Sequence, residues 1–244
     1  YNLTVNGGGI LLGSSTAVAN ELNLTNGNIL LKGYNFTYSG NSINKVNGQI
    51  NANELSSKIS FENTAALALP ASLFVNDEVY DMTVNGSGGT TLGSDTSINN
   101  QLELTQGNLN IGANTLTLNG PYITGTPNNL KGISSSNINF YNTGTGNVNL
   151  PNFTAVNNIN FNSNLVYNSS GNTDVYGDVI LTSGTLQLGS YTLNRNASGG
   201  NFKIKGTSVL KIGGTNSFPT NYATHEVDAT TTVDYNGTNQ NVAK

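Results

Sequence analysis

The stretch LELTQGNLNIGANTLTLNG, from Leu102 to Gly120, contains the pattern that decides the fold of this chain. Apolar residues alternate with polar ones over short runs, and Gly or Asn interrupts each run. Such alternation is typical of β-strands that bury one face and expose the other. Gly and Asn suit the tight turns between such strands. The stretch therefore predicts several short strands joined by close turns.

This pattern occurs three times in the chain. It appears as LNLTNGNILLKGYNFTYSG from Leu22 to Gly40 and as VILTSGTLQLGSYTLNRN from Val179 to Asn196. Three positions keep the same residue in every copy. They are Leu24, Leu104 and Leu181; Thr25, Thr105 and Thr182; and Gly27, Gly107 and Gly184. Three copies in the same order indicate an internal structural repeat. Such a repeat has to be identified before a fold is chosen from the other features of the sequence.

Shorter blocks precede and follow each copy. The opening blocks are YNLTVNG at Tyr1, YDMTVNG at Tyr80 and INFN at Ile159. The closing blocks are ISFEN at Ile59, INFYN at Ile138 and VDYNG at Val233. The sequence thus predicts three repeats of about 79 residues, at 1–79, 80–158 and 159–244. We expect one continuous elongated domain that is part of a longer chain.

Two all-β architectures fit this pattern. The preferred one is a parallel β-solenoid (β-helix) of about 12 short turns, because the strands are short, Gly recurs at close intervals and Asn at turn positions can form stacked ladders. The alternative is three tandem antiparallel β-sandwich modules, which also show short strands at regular spacing. A sustained helical stripe of apolar residues is absent from the sequence, so few helices are expected.

Composition narrows the functional classes. Only 9% of the 244 residues are charged, the formal net charge is −4, and the nine basic residues are scattered. Nucleic-acid binding needs clustered Lys and Arg, and membrane insertion needs a long apolar run, so neither is expected. The chain has no Cys, and its abundant Asn, Thr, Ser and Gly favour an extracellular location.

The order YNLTVNGxG…TLG, LxLTxGxLxLGxxTLTLNG and VxYNGTxQNV resembles repeats of very large cell-surface proteins of the Bacteroidota. These include gliding-motility adhesins exported by the type IX secretion pathway. The resemblance covers nearly the whole chain and is strongest at 1–40, 80–120, 179–194 and 233–242. It implies a secreted, surface-anchored repeat segment for cell adhesion or gliding motility, with neighbouring repeats of the same parent chain as partners. The family's secretion signal, normally a separate C-terminal domain, has no counterpart here.

Catalytic residues are not expected, because the carboxylates are few and scattered along the repeats, and no cofactor is expected apart from calcium. The densest acidic cluster is NDEVYD, in which Asp77, Glu78 and Asp81 are candidate calcium ligands. The favoured interpretation of this cluster is a solvated turn between repeats. His225 is interpreted as an exposed surface residue. Arg195 is either a clamp for an acidic sugar or an exposed residue on a strand.

Contact with glycans or other surfaces is expected through exposed tyrosines, on which sugar rings stack. The candidates are Tyr34, Tyr141 and Tyr191. The functional prediction is a stiff stalk or a weak multivalent surface-binding rod. The alternative is a carbohydrate-binding or polysaccharide-degrading β-helix protein.

Overall fold

The computed structural model describes residues 1–120 and 122–242 and assigns most of them to short β-strands. Pairings between described strands are parallel throughout, and the strands stack into a β-solenoid of about 11 turns. Helical structure among the described residues is limited to the 3₁₀ turn at Pro127–Asn129. The predicted parallel solenoid is therefore confirmed, and the antiparallel sandwich alternative is wrong.

Most turns contribute three strand segments. The solenoid therefore has three faces, which we number in the order in which the chain visits them. Face 1 consists of β1 (Leu3–Asn6), β4 (Glu21–Asn26), β7 (Ser42–Lys45), β10 (Leu67–Ala68), β12 (Thr90–Thr91), β14 (Leu109–Asn110), β17 (Leu130–Lys131), β21 (Thr173–Val175) and β23 (Leu193–Arg195). A single bridge between Val156 and Val175 extends this face.

Faces 2 and 3 are linked by four long strands that turn the corner between them. These strands are β11 (Phe74–Asn85), β13 (Thr96–Gln106), β20 (Ile159–Asn168) and β22 (Val179–Gly189). Face 2 also contains β2 (Ile10–Leu11), β5 (Ile29–Leu30), β8 (Ile50–Ala52), β15 (Thr115–Leu118), β18 (Asn137–Phe140), β24 (Gly199–Ile204) and β26 (Tyr222–Val227). Face 3 also contains β3 (Thr16–Val18), β6 (Asn35–Tyr38), β9 (Lys58–Phe61), β16 (Tyr122–Gly125), β19 (Asn147–Asn149), β25 (Val209–Ile212) and β27 (Thr232–Tyr235).

The sequence repeat does not contain a whole number of turns. Leu22 lies on face 1 in the second turn, Leu102 lies on face 3 in the fifth turn, and Val179 lies on face 2 in the ninth turn. Each repeat therefore advances the chain by three turns and two further faces, which is one strand segment short of four turns. For this reason the three repeats give 11 turns instead of the 12 predicted.

The opening blocks of the three repeats occupy equivalent places, because Met82 lies 11 strand segments beyond Leu3 and Ile159 lies 11 beyond Met82. The closing block at Val233 is different. It lies on face 3 of the last turn, two strand segments beyond the position equivalent to Ile138, so its match to the other closing blocks is wrong. The last two residues of the third repeat lie outside the described residues.

A continuous apolar core runs along the axis because inward-facing residues of successive turns stack in register. One column on face 2 comprises Ala52, Val79, Ile98, Leu118, Phe140, Phe161, Leu181, Ile204 and Val227. Within it, the rings of Phe140 and Phe161 stack with centroids 5.2 Å apart. Stability thus depends on contacts between neighbouring turns, as in other solenoids.

The glycine that recurs in each repeat forms the same turn at three different corners. Gly27, Gly107 and Gly184 have φ angles of 84°, 70° and 83°. A Cβ atom on any of them would lie 2.0 to 2.2 Å from a carbonyl oxygen of the preceding turn. Only glycine combines this conformation with so close an approach, so the repeat encodes a corner and not a particular face.

Candidate binding surfaces

The outer surface of face 2 carries a column of uncharged polar side chains. Ser97, Thr117, Asn139 and Asn160 occupy successive turns in register, and we call this column the polar lane. Asn139 Nδ2 donates to Thr117 Oγ1 at 3.0 Å, and Asn160 Nδ2 donates to Asn139 Oδ1 at 2.8 Å. Neighbouring strands are about 4.8 Å apart, so the lane presents amide and hydroxyl groups at a regular spacing.

A second polar column runs beside the polar lane. Asn137 Oδ1 accepts a hydrogen bond from Asn158 Nδ2 at 2.9 Å, and Thr115 pairs with Asn137 in the neighbouring turn. Each Asn side chain has two N–H donors and an oxygen with two lone pairs. The hydrogen bonds of the ladder therefore leave capacity for an external ligand.

A bulge in β11 interrupts the regular surface of face 2 at the fourth turn. Phe74 pairs with Ile50, and Val79 pairs with Ala52. Between these two pairs, β11 therefore contains three more residues than β8. Asn76 and Asp77, in the bulge, have φ angles of 58° and 57°. Asn and Asp tolerate this left-handed conformation better than other non-glycine residues. Bulges often redirect side chains beside functional sites.

The bulge and the start of the polar lane enclose an open groove of about 390 Å³. We call it the bulge groove. It is lined by Asn76, Asp77, Asp95, Thr96, Ser97, Thr115, Thr117 and Asn139. Asp77 Oδ1 accepts a hydrogen bond from Ser94 Oγ, and Asp95 Oδ1 accepts one from the Thr115 backbone N–H, both at 2.8 Å. The groove thus combines two fixed carboxylates with hydroxyl and amide groups, a set that suits the hydroxyl groups of a sugar.

The three calcium candidates point to different neighbours. Asp77 lies in the bulge groove, and Glu78 accepts a hydrogen bond from the Asn53 side-chain amide on face 2. Asp81 lies on face 3, where its Oδ1 accepts hydrogen bonds from Asn100 Nδ2 and the Gln101 backbone N–H. Over 1–120 and 122–242, three metal-ligating side chains do not gather at any one place. The structure does not bring these carboxylates together, and calcium binding stays a prediction.

The three tyrosine candidates are partly exposed but widely separated. Their exposed fractions are 39% for Tyr34, 40% for Tyr141 and 37% for Tyr191. Tyr34 and Tyr141 lie at the corner between faces 2 and 3, five turns apart, which corresponds to about 24 Å along the axis. Tyr191 lies at the corner between faces 3 and 1. Each can contact a sugar ring by itself, but the fold does not assemble them into one platform.

The structure places His225 on the exposed last turn, as expected, but Arg195 is less exposed than expected. His225 is exposed, but it is the inward-facing residue above Phe202, and it is exposed because it belongs to the last turn. Its Nε2 lies 2.9 Å from the Pro219 carbonyl oxygen. Arg195 is only partly exposed, and its guanidinium donates to the backbone carbonyl oxygens of Tyr176, Gly177 and Ala197. Arg195 therefore secures a corner of the fold.

The bulge groove is the feature that sequence reasoning missed. The sequence draws attention to the acidic cluster, but it predicts calcium ligands or a solvated turn there. The available signal was the pair Asn76–Asp77, which breaks the period-two alternation within β11. From sequence alone, this break could not be assigned to a bulge, because the bulge is defined by pairing with β8.

Comparison with known proteins finds no matching family model, no similar curated protein and no similar solved structure. A separate observation concerns membranes: among the described residues, helices long and apolar enough to span a bilayer are not found.

Proposed function

We propose that this chain is a structural and adhesive segment of a large secreted bacterial cell-surface protein, located outside the cell. It acts as a stiff rod that makes weak, repeated contacts with surface glycans during cell adhesion or gliding motility. The observation that carries the proposal is the polar lane, a flat series of uncharged hydrogen-bonding groups on successive turns of one rigid core. The resemblance to Bacteroidota adhesin repeats supports the same role. The proposal assigns no catalytic activity to the chain.

Several weak contacts on one rod suffice for adhesion because a second contact on a rigid support forms at high effective concentration. Hydroxyl and amide groups at a spacing of about 4.8 Å can bind successive hydroxyl groups of an extended polysaccharide. The low charge of the chain favours neutral glycans, since neither partner then has to give up the hydration of an ion.

The alternative function, a carbohydrate-binding β-helix with one local site, is favoured by the bulge groove. Asp77 and Asp95 have fixed positions there and can accept hydrogen bonds from vicinal sugar hydroxyls. This alternative differs from the rod in one measurable respect: binding would depend on the groove and not on the length of the polar lane.

The test is binding of the 244-residue chain to a panel of immobilised neutral polysaccharides. Thr117→Val, Asn139→Leu and Asn160→Leu together remove three of the four polar-lane side chains without changing inward-facing residues. The matched control is Asn23→Leu with Asn44→Leu, which removes an equivalent amide ladder from face 1, where Asn44 Nδ2 donates to Asn23 Oδ1 at 2.8 Å. We expect the face 2 variant to lose at least about tenfold in apparent affinity and the control to bind normally.

Two results would decide against the rod proposal. Equal binding by the wild type and both variants would show that the polar lane is not part of the contact surface. Thr117 and Asn139 belong to both surfaces, whereas Asn160 lies only in the polar lane. Loss of all binding by Asp77→Asn, with Asn160→Leu alone unaffected, would favour the local groove. Circular dichroism on each variant checks that the solenoid is still folded.

A further inference from the structure

The bulge groove and the polar lane are parts of one continuous surface on face 2, in the middle of the solenoid. Three of the four polar-lane residues, Ser97, Thr117 and Asn139, also line the groove. The fourth, Asn160, pairs with Asn139 and extends the lane by one further turn. The lane spans about 14 Å along the axis, so a ligand that lies along it reaches the groove without leaving the surface.

The bulge closes one end of the lane at the fourth turn. Phe74 and Val79 both face inward and are buried, and four residues of β11 lie between them. The turns on either side have one outward residue at this place, Asn51 on β8 and Ser97 on β13. The additional residues of β11 must therefore leave the plane of face 2, and they form a wall across the end of the lane.

Hydrogen bonds hold this wall against the groove. Ser94 Oγ, on the fifth turn, donates to Asp77 Oδ1 at 2.8 Å. The same oxygen accepts a hydrogen bond from the Ser72 backbone N–H at 3.1 Å. The groove behind the wall has a volume of about 390 Å³, which falls within the range of about 300–1,000 Å³ that is usual for small-molecule sites.

The other end of the lane is open. On the ninth turn Ile180 pairs with Asn160 and takes the outward position. It is the single residue between the buried Val179 and Leu181, so this turn has no bulge. The lane is therefore directional: an extended ligand can leave the surface over Ile180, but it has to end at the bulge.

The polar atoms of the groove suit the last sugar of such a ligand. Asp77 and Asp95 use Oδ1 to accept hydrogen bonds from Ser94 and Thr115, and within 1–120 and 122–242 the Oδ2 atoms of both have no hydrogen-bond partner. Each Oδ2 can accept a hydrogen bond from a ligand hydroxyl, and such bonds to an ionised acceptor are stronger than neutral ones. A sugar inside a 1,4-linked chain has its C4 oxygen in the linkage, whereas the sugar at the non-reducing end keeps adjacent free hydroxyls at C3 and C4.

We propose that the bulge groove binds the non-reducing end of a neutral, extended, 1,4-linked glycan whose preceding sugars lie along the polar lane. Asp77 and Asp95 accept hydrogen bonds from the two terminal hydroxyls, and the wall prevents the chain from continuing. The inference rests on the proposed glycan-binding function and adds recognition of the chain end. Glycans that are fixed to a surface through their reducing ends expose their non-reducing ends, so a rod that approaches such a surface meets this end first.

Titration of the isotope-labelled 244-residue chain with cello-, xylo- and manno-oligosaccharides, followed by NMR, tests the proposal. We expect one ligand to shift the backbone amide signals of both Asp77 and Asn160. Methylation of the terminal C4 hydroxyl should then weaken binding at least about tenfold, because a donor to a carboxylate is lost. Reduction of the opposite end of the oligosaccharide should change the affinity less than about twofold.

Two variants separate the carboxylate from the wall. Asp77→Asn keeps an oxygen for Ser94 and tolerates the left-handed conformation, and we expect it to bind the unmodified ligand at least about tenfold more weakly. The matched control is Asp174→Asn, at an exposed position of face 1, which should bind as the wild type does. Deletion of 75–77 restores the one-residue spacing of the neighbouring turns, so this variant should bind methylated and unmethylated ligands equally. If the deletion variant does not fold, Asp77→Asn measured with both ligands still tests the recognition of the terminal hydroxyl.

The results that would overturn the inference differ from those that would overturn the proposed function. Equal affinity of the wild type for methylated and unmethylated ligands would refute recognition of the chain end and leave glycan binding along the lane intact. Loss of binding on reduction of the opposite end would mean that the groove takes the reducing end instead. Equal binding by the wild type and Asn160→Leu would refute the contact along the lane, and the inference with it. Absence of amide shifts with every oligosaccharide would overturn both.

Discussion

Gly107 and Gly112 share a positive φ but differ in their surroundings, so they separate two costs of replacing a glycine. Their φ angles are 70° and 67°, yet a Cβ on Gly107 would lie 2.0 Å from the Gly86 carbonyl oxygen, while one on Gly112 would meet nothing closer than 3.5 Å. We expect Gly112→Ala to lower the free energy of unfolding by about 1 kcal/mol through backbone strain alone. Gly107→Ala should cost about 3 kcal/mol because steric overlap is added.

Urea unfolding followed by circular dichroism measures both values. Equal losses for the two variants would mean that the preceding turn moves away freely and that the close approach at this corner has no energetic importance.

Asn63 is a buried residue whose side chain holds backbone groups together at a corner. Its Nδ2 donates to the carbonyl oxygens of Ala65 and Gly89, both at 2.7 Å. Asn63→Leu removes these donors from the buried Gly89 carbonyl, which keeps the Leu67 N–H, and from the Ala65 carbonyl. We therefore expect a loss of about 1–3 kcal/mol in the free energy of unfolding. Asn44→Leu, at an exposed ladder position, is the control and should change it by less than about 0.5 kcal/mol.

The comparison is made by thermal and urea unfolding of both variants. A similar, small effect at the two positions would contradict a structural role for the buried amide. Asn142 holds the equivalent place in the second repeat, where its Oδ1 accepts a hydrogen bond from Tyr167 Oη at 3.1 Å. Burial raises the pKa of Tyr167 to about 12, so this donor keeps its proton at physiological pH.

Between elements, an ion pair on face 3 connects strands that are two turns apart. Lys58 Nζ on β9 lies 2.9 Å from Glu103 Oε2 on β13, and Thr83 on the intervening β11 donates to the same oxygen at 3.0 Å. The hydrogen bond from Lys58, followed by that from Thr83, lowers the pKa of Glu103 below its ordinary value of 4.5. The carboxylate thus stabilises the folded state while it is ionised.

The sign of the pH dependence follows from this lowered pKa. The contribution of Glu103 is present above 4.5 and is lost as the pH falls through the folded-state pKa. We expect Glu103→Gln to cost roughly 0.2–1 kcal/mol at pH 7, because the pair is partly exposed, and to cost nothing at a pH well below 4.5.

A double-mutant cycle with Lys58→Gln checks the origin of the effect, using urea unfolding at both pH values. The double variant should lose little more than either single variant. Additive losses would show that the two side chains act independently.

For the whole molecule, the phase of the repeat leads to a prediction about deletions. Met82 and Ile159 are equivalent, so removing 82–158 joins Asp81 directly to Ile159 and removes one repeat of three and two-thirds turns. Because the glycine turns form at any of the three corners, we expect a folded rod that is shorter by about 18 Å. Each strand after the deletion would then lie on the neighbouring face.

Small-angle scattering gives the length of this variant and of the intact rod, which should be about 50 Å. The control deletes 109–129, one complete turn, because Leu109 pairs with Leu130 and every later strand keeps its face. If only the control folds, the faces are not interchangeable and the repeat unit is not an independent building block.

The sequence by itself determined the strands, their inward and outward residues and the glycine corners. These are local properties: period-two alternation in Leu102–Gly120 sets which side chains can be buried, and the positive φ at Gly107 needs only its own turn. Tertiary structure alone decided that three segments make a turn, and hence that Leu22 and Leu102 lie on different faces. Face assignment depends on contacts between residues about 20 positions apart, which strand alternation does not encode. For the same reason, pairing with β8 was needed to place Asp77 in the bulge groove, and the axial stacking of turns kept Tyr34 and Tyr141 apart.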